Sequence, residues 1–304
     1  MKYQRGHKSA DVVDRRGAGP TGGMSMGKIG GGVGGLGILI VLLMSCLGSG
    51  GGIDIGSLPT QELEPPVPGG AAGAQGVDPI PEASDAIDPA QDPDAELVAF
   101  LSFVLDDVQE YWTDQFAASG QDYDKATLVL FKESTQSGCG GATAAIGPHY
   151  CPLDQHAYLD LDFFKELLAR FDAPGDFAQA YVLAHEIGHH VQTVTGISDE
   201  VRRLSQQHPG QANDLSILQE LQADCFAGVW AYSTYDEGLL ESGDVQEGLN
   251  AAAAVGDDRI QQKSTGRVDP ESWTHGSSAQ REKWFTIGFE TGDPEACNTF
   301  SQGA

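Results

Sequence analysis

Apolar positions three and four apart mark most of the helices of this chain. In "DPDAELVAFLSFVLDDVQEYWTDQF", Leu97, Phe100, Leu101, Val104, Leu105, Val108, Tyr111 and Trp112 keep helical spacing. Asp92 is the expected cap, and Pro93 suits the first helical position. "ATLVLF" at 126–131 reads as a strand, and "QHAYLDLDFF" at 155–164 turns from strand alternation into a helix, "DFFKELLARF". "DFAQAYVLAHEIGHHVQTVTG" predicts a helix stopped by Gly196. "NDLSILQELQADCFAGVWAYSTY" predicts another, capped by Asn213 or Asp214. "DVQEGLNAAAAVGDDRIQQK" and "SSAQREKWFTIGF" open with capping-box patterns, Asp244 to Glu247 and Ser277 to Gln280. One helix, a few strands and then mostly helices make an α+β domain over 95–304.

The pattern upstream is different. Residues 29–47, "IGGGVGGLGILIVLLMSCL", carry no charge, and nineteen helical residues span about 28 Å, close to one hydrocarbon thickness. Residues 1–28 are basic, with Lys2, Arg5, Lys8, Arg15, Arg16 and Lys28 against Asp11 and Asp14, and acid follows the apolar run. This asymmetry predicts a single transmembrane anchor, a cytoplasmic N-terminus and an extracytoplasmic domain. A cleaved signal peptide and lipidation at Cys46 are the alternatives. The pairs Gly30/Gly34 and Gly31/Gly35 suit a homodimer of anchors. Residues 48–94 are rich in Pro, Gly, Ala and Asp, show no apolar period, and read as a tether.

The chain has 304 residues and a net charge of −27, which excludes a nucleic-acid partner, because phosphate binding needs a basic face. Four cysteines follow the apolar run: Cys139, Cys151, Cys225 and Cys297. Outside the cytoplasm an even number suggests disulfides, and four cysteines allow three pairings. Joining Cys139 to Cys151 closes a short loop and leaves Cys225 with Cys297.

The chemistry is concentrated in "HEIGHH", residues 185–190, inside an apolar helical run where uncompensated polar groups are costly. His185 and His189 differ by about 40° around a helix and one turn along it, so both rings can meet one ion. Glu186 beside them is placed to act as general base, the HExxH arrangement. His190 lies about 140° from His185 and should face elsewhere. A catalytic zinc needs a third protein ligand. Gln192 and Thr195 exclude a third histidine in the extended motif, and "ELQAD" offers Glu220 instead, with Asp224 to accept from the outer nitrogen of His185 or His189. His, His and Glu favour zinc. His275 in "SWTHGSSAQR" is the expected oxyanion donor, and Arg281 either pairs with Asp224 or Glu220 or stays at the surface. His149 and His208 read as solvated, and Tyr232 and Tyr235 as too far along their helix to reach the ion. The "HAYLDL" strand is expected at a sheet edge, where it could hold a substrate backbone.

"HEIGHH" with "ELQADCFAGVWA", "THGSSAQREKWF" and "CNTF" resembles the neutral zinc metallopeptidase family of bacterial membrane proteins. "KSADVVDRRG", the glycine-rich anchor and "GPHYCPLDQHAYLD" also match that layout. The resemblance covers nearly the whole chain except 48–94. It implies a gluzincin-like fold with HExxH on one helix, a glutamate ligand on the next and a small sheet beside them. It implies one Zn2+ held by His185, His189 and Glu220, Glu186 as base, and a peptide or protein substrate. The competing expectations are a non-catalytic zinc-containing binding module, a scaffold held by its anchors, and a zinc hydrolase of a non-peptide amide.

Overall fold

The computed structural model describes residues 1–17, 87, 91–143, 146–164 and 175–302. The expected anchor, 29–47, most of the tether and most of "DFFKELLARF" lie outside them. Among the described residues no helix is long and apolar enough to cross a membrane.

A four-stranded sheet lies against the helices. Its strands are β1 (Val12–Asp14), β2 (Thr127–Phe131), β5 (His149–Cys151) and β6 (His156–Asp160), in the order β1-β2-β6-β5. β1, β2 and β6 run parallel, and β5 runs antiparallel to β6. A hairpin of β3 (Ser134–Ser137) and β4 (Gly140–Thr143) stands apart. After Thr127, β2 is apolar at every position because both its faces are covered. Leu128 and Leu130 join the main helical core, while Val129 and Phe131 pack with Ala142, Cys151 and Tyr158 on the other side.

The longer helices among the described residues are α1 (Ala95–Ala118), α2 (Asp176–Val194), α3 (Ile197–Gln207), α4 (Ala212–Asp236), α5 (Asp244–Ala254), α6 (Asp257–Thr265) and α7 (Ser278–Thr291). The capping box predicted at Ser277 and Gln280 forms. The one predicted at Asp244 does not: Gly243 is the cap, and the Asp244 and Glu247 carboxylates accept from the Glu241 and Phe177 amides instead. The single helix expected from Asp244 onward is two, α5 and α6, with Gly256 between them. A Cβ at Gly256 would stand 2.4 Å from the Ser278 nitrogen, so close packing fixes this break. α1 begins two residues later than predicted, with Asp92 accepting from the Asp94 amide. α4 is capped at Gln211, ahead of the expected Asn213 or Asp214.

Two expectations are corrected by the sheet. The "HAYLDL" strand, β6, is interior, flanked by β2 and β5, and the edge beside it is β5. Residues 1–17 are not a separate basic segment but part of the folded unit formed with the domain. β1 pairs with β2, His7 lies 2.7 Å from Asp106, and the buried Arg16 guanidinium donates to both Asp14 and Asp92 at 2.7 Å. The net basic count that marked this stretch is partly consumed by these acidic partners.

Three glycines set how closely the site-bearing helices approach. A Cβ at Gly188 would stand 3.1 Å from the Cα and O of Ala223, so α2 lies against α4 there. A Cβ at Gly228 of α4 would fall 2.1 Å from the Phe285 oxygen, and one at Gly288 of α7 2.0 Å from the Cys225 oxygen. α4 and α7 therefore cross backbone to backbone, and the disulfide Cys225–Cys297 lies beside the crossing. The second disulfide joins Cys139 to Cys151, the last residue of β5. Gly228→Ala forces two backbones apart, and we expect a loss of about 1–3 kcal/mol of stability, read from chemical denaturation.

Candidate metal centre

His185, Glu186 and His189 project from the middle of α2, and Glu220 projects from the first half of α4. His185 Nε2 lies 3.3 Å from Glu220 Oε2, and His189 Nε2 lies 3.4 Å from Glu220 Oε1. The two imidazole rings stand at 85° with centroids 4.7 Å apart. Four ligands held tetrahedrally about 2.0–2.1 Å from a zinc ion are about 3.3 Å from one another. The two histidine-to-glutamate separations match that spacing, and the three donor groups all lie within 4.8 Å of one another.

The other ring nitrogens fix the tautomers. His185 Nδ1 is 2.9 Å from Asp224 Oδ1, and His189 Nδ1 is 2.9 Å from Gln192 Oε1. Both partners are acceptors, so each Nδ1 carries a proton, and Nε2 is the nitrogen that each ring turns toward Glu220 and would offer to a cation once deprotonated. The hydrogen bond expected of Asp224 is thus made to His185. For His189 the role belongs to Gln192, which stands where the extended motif has its glycine. Gln192 is held in turn by the Gln219 carbonyl and by Gln222, which donates to the Cys297 carbonyl.

Behind His185 the Asp224 carboxylate is wholly buried and accepts from the Tyr181 hydroxyl and from Arg281 Nε at 2.8 Å and Nη2 at 2.9 Å. Burial resists its ionisation, but Arg281 and His185 hold its pKa below the usual range. Burial likewise opposes the charge on Glu220, and His189 and His185 hold it well below the usual range. Burial opposes a charge on His185 too, yet Asp224 and Glu220 push its pKa up to about 9. The centre therefore favours positive charge between its donors, as a cation site must.

Glu186 and His275 both line a cavity of about 650 Å3 over these ligands. His275 lies on the turn before α7, with Nδ1 3.1 Å from Asp257 Oδ1. Asp257 Oδ2 accepts from the amides of Thr274, His275 and Gly276, so one carboxylate shapes the turn and orients the ring. The Asp257 hydrogen bond raises the His275 pKa, burial opposes it, and the negative charge of Glu220 adds to the rise.

His149, expected to be solvated, lines the cavity and stacks on Tyr158 at 5.2 Å. His208 is exposed, as expected, and Tyr235 is exposed on α4 away from the ligands. His190 faces away from the ligands and is fully buried. Tyr181, Gln192 and Asp257 escaped the sequence reading. Tyr181 stands one turn before His185, as His189 stands one turn after it, so helical periodicity could have found it. Asp257 lies eighteen residues before His275, with no local signal to connect them.

Residues 1–300 match the family model described as "Putative neutral zinc metallopeptidase". The "Uncharacterized protein YpfJ" of Escherichia coli (strain K12) is 44% identical over 308 residues, 99% of each chain. The "Uncharacterized protein Rv2575" of Mycobacterium tuberculosis (strain ATCC 25618 / H37Rv) is 50% identical over 191 residues, 59% of this chain and 64% of the relative. No solved structure matches the chain. On a match that spans the ligand helices, the His275 turn and the N-terminal strand alike, this chain belongs to the putative neutral zinc metallopeptidase family.

Proposed function

We propose that this protein is a zinc-dependent endopeptidase that uses Glu186 as general base. The observation that carries the reading is the convergence of His185, His189 and Glu220 at zinc-ligand spacing beneath a cavity lined by Glu186 and His275. When bound, zinc supplies an activated water and polarises the scissile carbonyl. Glu186 takes the proton of the attacking water on its carboxylate and delivers it to the leaving nitrogen. His275 donates a hydrogen bond to the developing oxyanion. Its Nδ1 proton is committed to Asp257, so Nε2 can donate only while the ring is charged. β5 offers the substrate backbone an edge, since among the described residues it pairs only with β6. Ile146, Pro148, Phe163, Val182, Val255 and Ile260 give the cavity an apolar wall, which suits an apolar substrate side chain.

The proposed location is extracytoplasmic at a bacterial membrane, with residues 29–47 engaging the bilayer. The two disulfides support an oxidising compartment. β1 pairs with β2, so residues 12–14 share that compartment with the domain. A single crossing at 29–47 with the N-terminus in the cytoplasm would pull this pairing apart, and we set that topology aside.

Three outcomes test these readings. The full chain loaded with zinc should cleave a mixed peptide library beside apolar side chains. Glu186→Gln should lose about 10²–10⁴-fold in kcat while keeping its zinc. Mass spectrometry of the products decides, and cleavage by neither protein moves the function to a non-peptide amide or to binding alone. The second outcome is a pH profile. His275 has a raised pKa, so it holds its proton to higher pH, and activity should fall as pH rises through that value. Asp257→Asn removes the main cause of the rise and should move the falling limb to lower pH; an unmoved limb removes His275 as donor. The third outcome concerns topology. In intact cells, Lys8→Cys and Asp199→Cys should react alike with a membrane-impermeant maleimide, whereas labelling of position 199 alone would restore the single crossing.

A further inference from the structure

His190 has no place in the zinc chemistry, yet it is fully buried in the helix that supplies both histidine ligands. Its two ring nitrogens are both engaged. Nε2 lies 2.6 Å from the carbonyl oxygen of Asp124, in the segment that leads into β2. Nδ1 lies 3.0 Å from the hydroxyl of Tyr150, the middle residue of β5. A carbonyl can only accept, so Nε2 carries the proton. Nδ1 is then an acceptor, and the Tyr150 hydroxyl donates to it. The rings of Tyr123 and Tyr150 meet the imidazole at steep angles, each with centroids 5.5 Å away.

β5 needs such a fastening. It is three residues long and pairs with β6 on one side. Its last residue, Cys151, is joined to the hairpin by a disulfide, which leaves the distance between β5 and α2 unset. Tyr150 bridges that distance with its own side chain and also lines the cavity. The geometry follows from helix periodicity. His185 and His189 share a face of α2, and His190 is turned about 100° from His189, so one helical turn holds both the ion and the strand.

We propose that His190 is a positioning residue: through the Tyr150 hydroxyl it sets the spacing between the ligand helix and β5, and so governs the grip on an extended peptide. The inference rests on the endopeptidase reading, because it takes β5 to be the strand that holds the substrate backbone. A histidine that only satisfies the core would fix the fold without discriminating between ligands that use β5 and ligands that use only the ion.

The test compares two zinc-binding probes on the full, zinc-loaded chain by calorimetry. One is a tetrapeptidyl hydroxamate with apolar side chains, which reaches along β5, and the other is acetohydroxamate, which reaches only the ion. Tyr150→Phe keeps the ring and loses the hydroxyl. His190→Gln keeps a donor for the Asp124 carbonyl and loses the acceptor for Tyr150. His190→Asn keeps an acceptor near the Nδ1 position. The first two variants should bind the peptidyl probe about five-fold more weakly, the scale of one net hydrogen bond. They should bind acetohydroxamate and zinc as the parent does. The Tyr150→Phe/His190→Gln double variant should lose no more than either single, and His190→Asn should recover most of the affinity.

Unchanged preference for the peptidyl probe in both Tyr150→Phe and His190→Gln overturns the inference, as does an equal loss for both probes. A parent protein that binds the two probes with the same affinity overturns the endopeptidase reading itself and the inference with it. That result is separate from one in which the parent discriminates and the variants still do.

Discussion

The carboxylate of Asp224, on α4, accepts from Tyr181 and His185 on α2 and from Arg281 on α7, with no exposure to solvent. A lone buried carboxylate is costly by several kcal/mol, and a charged partner with good geometry has to offset it. Arg281 supplies two hydrogen bonds to Asp224, and its Nη1 reaches the Val255 carbonyl at 3.3 Å. The arginine is held down in turn by the residue it neutralises. What the arrangement leaves for function is one fixed proton. Asp224 pins it on His185 Nδ1, so Nε2 is the nitrogen left to meet a cation once its own proton is given up. Breaking the pair from either side would strand a charge in the core and release the ring at once, so ligand orientation and helix docking are one constraint here.

That constraint needs the helices at close range, which glycine provides. Gly188 brings α2 against α4, and Gly228 with Gly288 brings α4 against α7. A methyl group at any of the three would open the space across which Asp224, His185 and Arg281 meet. The second histidine is held by a different device, neutral and wholly of glutamines: Gln192 and Gln222 pass its hydrogen bond on to the Cys297 carbonyl beside the disulfide. One candidate ligand is therefore backed by charge and the other by amide dipoles. The cost of burying a second ion pair so near the first is thereby avoided.

The helices were legible because their apolar faces repeat every three to four residues over many turns. The candidate ligands His185, His189 and Glu220 were legible because HExxH and ELQAD are local patterns on such helices, and the structure brings the three together. What escaped lacks one of these features. β1 and β5 are three residues each, too short for alternation to register, and they exist because β2 and β6 offer them open edges. Being short, β5 also hid that β6 is interior. α3 is mostly polar and buries only Val201. Asp257 and Tyr150 act across the fold, through distances that no sequence window spans. His190 was placed correctly as facing away from the ion, but its partner could not be named without β5.

The N-terminal strand shows what a charge rule leaves out. Basic residues before an apolar run do mark the cytoplasmic side of many anchors. Here, however, Arg16 is not a free charge. Its side chain is buried between Asp14 and Asp92, so it brings the chain before residue 18 against the chain after residue 90. His7 and Ser9 do the same through Asp106. Such contacts fasten residues 1–17 to the domain. A charge rule counts the arginines without seeing their partners, and it presumes that a segment before an apolar run is independent of the domain beyond that run. The hydrogen bonds between β1 and β2 remove that independence. Residues 12–14 therefore belong with β2, whatever the course of the chain between them.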